Sequence, residues 1–258
     1  MTTSHRSGSD PDPETVLAAG LRSPESSLRL RAALQAGIRA DPRDADRLIE
    51  RCRTEQDFFV RDMLTWALTR LPSESTVPRL VGELDSHVPQ ARSQALHTLS
   101  KIGDRRAWPA VASHVHDADL DVSRSAWRAA VVLVPAGDVA WLAAQLVREL
   151  GRGDQDTQLS LSRALLALGE PALSLVETAT RNRTPAVRAH ALATQRLFED
   201  PEMAFAFALE EATRISLLGP HGAPGTGLSG TTDALPGADR EPGTDGRSGV
   251  SPPAAEPC

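Results

Sequence analysis

The densest run of side chains able to do chemistry extends from His114 to Asp121, as His-Val-His-Asp-Ala-Asp-Leu-Asp. Imidazole and carboxylate together make a donor set for a transition metal. His114 and His116 stand two apart, a spacing that does not share a helical face. A loop would have to gather His116, Asp117, Asp119 and Asp121. The competing reading is a helix end and a solvated acidic turn, in which Asp119 or Asp121 caps the next helix. We expect the cap and assign no metal ligand. No glycine-rich phosphate loop and no Ser/His/Asp or Cys/His pairing can be identified. No catalytic residue and no cofactor is therefore assigned. The two cysteines, Cys52 and Cys258, do not make a disulfide framework, which fits a reducing cytoplasm.

What would position any site is an array of helices. Aromatics are 3% of the 258 residues and tyrosine is absent, so alanine and leucine supply most of the apolar surface. Both favour helix. The segments around Pro78, Pro109, Ala140, Pro171 and Glu202 recur at steps of 31 residues, and one step earlier falls on Arg47. Two positions further along stand Ile49, Leu80, Val111, Leu142, Leu173 and Ala204. A second set of anchors begins at Leu28, Val60, Ala91, Val122 and Val187. A fixed period of this length signals stacked supersecondary units. We read six units, each a first and a second helix.

In the third unit Ala91, Ala95, Leu99 and Ile102 lie on one helical face. Gly103 is placed to end that helix, and Pro109 fits the first turn of the next. The fifth unit departs from the pattern. Its first helix is expected near Thr157 to Leu168, about four residues late, after a longer linker from Gly151 to Asp156. The shorter link Leu168-Gly-Glu-Pro is expected to restore register at Pro171. We expect residues 1–12 to be a flexible N-terminus and 13–218 the solenoid. Residues 219–258 are expected to be a disordered tail, because they hold nine of the 18 glycines and seven of the 19 prolines.

Ile102-Gly-Asp-Arg-Arg-Ala-Trp-Pro-Ala-Val closely resembles the signature of short HEAT repeats, the type also called phycobilisome-lyase-like. Val60-Arg61, Ala91-Arg92 and Val187-Arg188 resemble the valine-arginine pair that begins the first helix of such repeats. The resemblance implies a right-handed α-α superhelix of about six helix pairs. It also implies that the repeated arginine bonds an acidic residue or a carbonyl at the repeat junction. The chain looks like HEAT regions of actinobacterial proteins. Some of these follow a DNA-binding helix-turn-helix of the mercury-resistance regulator type; no such pattern precedes these repeats, and that role is not carried over.

The family includes enzymes. Its di-iron hydroxylases carry His-Glu dipeptides, and none of the seven histidines here is followed by Glu. Nothing is specific for the tetrapyrrole of a bilin lyase. Trp108 near Asp104, Arg105 and Arg106 could imitate a glycosylase groove, but it stands at an apolar position of the repeat and is expected to pack in the core or a junction.

The inner, concave surface of such a stack is lined by second helices. Counting 100° per residue, Arg51, Glu55, Arg79, Ser86, Ser113, Asp117, Trp141 and Arg148 point away from the buried face. Of these, Arg51, Arg79, Ser113, Trp141 and Arg148 are the candidate partner-binding residues. Mixed charge with an exposed tryptophan suits a protein or peptide. The formal net charge of −6 argues against a nucleic-acid partner. Met1 to Glu14 has no signal-peptide core, and no apolar run is long enough for a membrane span. The expectation is a cytoplasmic, monomeric interaction scaffold. A HEAT-type enzyme or enzyme subunit is the alternative, and a DNA-associated regulator a further one.

Overall fold

The computed structural model describes residues 13–200. The expected flexible N-terminus, the second helix of the sixth unit from Pro201 and the tail from Gly219 lie outside the described residues. Twelve α-helices and no strand occur among the described residues. α1 (Pro13–Leu21) precedes the repeats. The first helices of the six units are α2 (Ser26–Arg39), α4 (Phe58–Thr69), α6 (Pro89–Ile102), α8 (Leu120–Leu133), α10 (Gln155–Leu168) and α12 (Pro185–Glu199). The second helices of units one to five are α3 (Ala45–Cys52), α5 (Ser73–Glu83), α7 (Trp108–Ala112), α9 (Val139–Val147) and α11 (Glu170–Ala179).

Local chemistry sets these bounds. Asp57, Asp119 and Asp154 cap α4, α8 and α10, their carboxylates accepting from backbone N–H groups of the first turn. Such a cap contributes about 1 kcal/mol. α6 ends at Gly103, whose φ of +73° closes it in the left-handed conformation. Ala40 does the same for α2 at φ +53°, where a Cβ is strained. Pro109 sits in the first turn of α7, as expected. Pro78 does not share that place: α5 begins five residues earlier, at Ser73, and carries the proline inside.

One continuous core runs through the units. Val60, Ala91 and Val122 are buried at the head of α4, α6 and α8. Ile49, Leu80, Val111 and Leu142 are buried on the second helices. Neighbouring first helices pack on one another, as do α9 and α11. Each helix pair thus completes its burial only against the next. Two details depart from expectation. Leu28 is exposed, and Arg29 beside it is buried. In the fifth unit α10 does begin late, at Gln155, but register is not fully regained. Gly169 (φ +69°) alone links α10 to α11, and Ala172 and Val176 enter the core where Leu173 was expected. The fifth second helix is therefore turned by one residue.

Candidate functional site

The repeated arginines are structural. Each reaches back to the carbonyls that end the preceding loop. Arg61 Nη1 donates to Glu55 O (3.1 Å) and Gln56 O (2.8 Å), Arg92 Nη1 to Ser86 O (2.8 Å), and Arg188 Nη1 to Asn182 O (2.8 Å). Arg29, in the same register, donates to Ser23 O (3.0 Å) and Pro24 O (2.8 Å). Two of them also clasp a carboxylate with both remaining donors. Arg29 holds Glu55 at 2.7 and 2.8 Å, and Arg92 holds Asp117 at 3.1 and 3.0 Å. Such forked pairs are directional and strong.

Unit four has Ser123 where the arginine should stand. Its loop carbonyls are not left open. Arg152 Nη2, from the long linker before α10, donates to Asp117 O (2.5 Å) and Ala118 O (2.9 Å). The insertion that breaks the period thus supplies the missing guanidinium from outside the unit.

The His114–Asp121 run is spent on such contacts. Asp119 caps α8 through Asp121 N (3.0 Å) and Val122 N (3.1 Å). Asp117 is held by Arg92, and His116 Nδ1 meets Glu149 Oε1 at 2.5 Å. The donors point to different partners, and no cluster able to hold a metal is formed among the described residues. Cys52 is buried, and desolvation above all pushes its thiol up to about 12, which disfavours the reactive thiolate.

The second helices carry the candidate binding residues. Trp108, on α7, is buried, and its Nε1 donates to Asp138 Oδ2 at 2.7 Å. Trp141, on α9, stands edge-on to it, ring centroids 6.0 Å apart and planes at 90°. Trp141 remains 46% exposed. Trp108, Ala112, Asp138 and Trp141 line a shallow cleft of about 280 Å³. Arg79, on α5, occupies the register position of Trp141 two units earlier and donates to Asp46 Oδ1 (2.8 Å) and Ser75 O (2.5 Å). Ser113 is exposed just past the end of α7, its hydroxyl donating to Ala110 O. Arg148 is exposed just past the end of α9 and donates to Gln145 Oε1 (3.0 Å).

Arg51 and Glu55 are placed differently from expectation. Glu55 is fully buried, and Arg51 is drawn onto it at 2.8 Å together with Arg29. Burial works to raise the Glu55 pKa. Hydrogen bonds from Arg29, the Asp57 N–H and Arg51 outweigh it and hold the carboxyl at about 2. Helical counting missed this because it ranks positions on one helix and ignores an arginine arriving from the first helix of the same unit.

A stack of helix pairs sharing one core defines an α-solenoid of the HEAT and armadillo kind. Within it, residues 60–131 match the family model for HEAT repeats, so that stretch of the chain carries HEAT repeats. No curated protein matches the sequence. Among solved structures, the karyopherin Kap121p bound to the extreme C-terminus of the protein phosphatase Cdc14p is 19% identical. The match covers 74% of this chain and 24% of that one, with a TM-score of 0.52. The CpcE–CpcF complex of phycocyanin lyase from Nostoc sp. PCC7120 is 22% identical, over 75% of this chain and 79% of that one, at a TM-score of 0.42. A designed armadillo repeat protein is 15% identical, over 72% and 99%, at 0.35. At 19% identity the likeness to the karyopherin is one of fold.

Proposed function

We propose that the protein is an interaction scaffold whose second-helix face binds an extended peptide or protein segment, with Trp141 as its anchor. The observation that carries this reading is the Trp108–Trp141 pair. Trp108 is buried and hydrogen-bonded to Asp138, and the half-exposed Trp141 packs edge-on against that anchored ring. A rigid aromatic in a prepared position is the residue type that dominates binding energy at interfaces.

The surroundings support it. Arg51, Gly82, Ser113 and Ala144 occupy one register position along successive second helices. Three of the four are small, and Gly82 faces open space. A line of small residues lets a ligand backbone approach closely. Arg79, Ser113 and Arg148 offer polar contacts beside it. The structurally similar karyopherin segment comes from a protein crystallised with a C-terminal peptide of another protein. Among the described residues no helix is long and apolar enough to cross a membrane.

Affinity purification from the native host, followed by direct titration of the recovered partner, tests the reading. Trp141→Ala should weaken that partner by about 2 kcal/mol or more, while the circular dichroism melt stays close to wild type. A partner bound equally well by the variant overturns the assignment.

A further inference from the structure

The first-helix face carries a feature that the scaffold reading does not use. Between α6, α8 and α10 runs a groove of about 670 Å³. Lys101 lines it from α6, Arg124 and Arg128 from α8, and Arg163 from α10. No carboxylate pairs with Lys101, Arg128 or Arg163 among the described residues. Arg124 reaches Asp121 only at 3.7 Å, and its buried Nε has no hydrogen-bond partner. Asp156 is the one carboxylate among the lining residues. A chain of net charge −6 has therefore concentrated four cations in one groove.

The cations feel one another. Partial desolvation first, then the charges of Arg124 and Arg163, lower the Arg128 pKa, with Asp121 opposing. His97, at the same groove, is lowered by burial first and then by Lys101 and Arg128, with Asp62 opposing. Like charges held this close repel, and a cleft with low-dielectric walls focuses the resulting field. An anion entering the groove relieves that repulsion.

The walls narrow the choice of anion. Val132 is 51% exposed, and Val131, Leu159 and Ala167 also face the groove. No Phe, Trp or Tyr lines it, so it has no platform on which bases would stack. Cations over an aliphatic floor complement carboxylates alternating with apolar side chains.

We propose that this groove is a second docking site, for an acidic segment of a protein partner in which Asp or Glu alternates with aliphatic residues. It is separate from the second-helix face and does not depend on Trp141.

The test is fluorescence anisotropy, titrating the full-length protein into a short labelled peptide of alternating Glu and Leu. The acidic peptide should saturate the protein, and its affinity should fall as sodium chloride is raised. A peptide with Gln at every Glu position should bind about tenfold or more weakly, and Arg128→Glu/Arg163→Glu should weaken the acidic peptide by about tenfold. Should that double variant lose its helical circular dichroism, Lys101→Glu, at an exposed position of α6, carries the same expectation with a several-fold loss. Equal binding of the Gln peptide, or affinity untouched by these reversals, overturns the proposal. So does tighter binding of a single-stranded oligonucleotide of matched charge, which would make the groove a nucleic-acid site.

Discussion

Glu55 shows how one side chain can belong to two units. Its carboxylate accepts from Arg29 of α2, from Arg51 of α3 and from the N–H of Asp57 ahead of α4. Removing its charge would leave Arg29 buried without compensation. Glu55→Gln should therefore cost about 3 kcal/mol, measured as a fall in the urea midpoint at neutral pH. The pH dependence has a definite sign. The folded pKa of about 2 lies below the ordinary 4.5, so the unfolded chain takes up the proton first. This contribution is fully present above about pH 4.5 and is lost as pH falls through about 2. The variant should lack that part of the acid loss; equal midpoints for the two proteins at every pH would defeat the argument. The sequence placed Glu55 outward, because the angle from Ile49 says nothing of a partner 26 residues upstream. Trp141 was readable from the same angle, since the edge contact with Trp108 of the preceding unit leaves its indole 46% exposed.

At the scale of the helix, local signals were the legible ones. Gly103 as a stop, Pro109 as a start and the late onset of α10 all follow from residues within a turn of the boundary. Ala40 carries a further consequence. It closes α2 at φ +53°, in register with Gly103, yet has a Cβ there. Ala40→Gly should stabilise the protein by about 0.5–1 kcal/mol, seen as a raised thermal midpoint; a lowered midpoint would show that the backbone is not strained. The rotation of α11 was less legible. Insertion and deletion cancel in the count of residues, but the single-residue link at Gly169 fixes an angle as well as a length. The basic groove escaped notice for a related reason. The apolar period reports which side of each first helix is buried, not that the free sides of α6, α8 and α10 bring Lys101, Arg128 and Arg163 to one place.

In the molecule as a whole, stability passes from unit to unit, and the fourth depends on the fifth. Arg152 ties the linker before α10 to the loop ahead of α8, and it also pairs with Glu149 at 2.6 Å. Arg152→Ala should speed amide hydrogen exchange in that loop and in the linker while leaving α2 to α5 protected, because distant units share no partners with it. Uniform loosening along the chain, or none, would contradict this. The two proposed docking surfaces lie on different helix sets, the second helices for Trp141 and the first helices for the basic groove.

Arg152 also bears on the order in which the chain assembles during synthesis. Where Arg61, Arg92 or Arg188 closes a loop, lock and latch lie six residues apart and leave the ribosome almost together. The loop ahead of α8 must wait for a residue 35 positions further on. Contacts distant in sequence close later than local ones. The fourth unit therefore emerges unlatched, and a translational pause before residue 152 would hold it open while the units ahead of it are already shut.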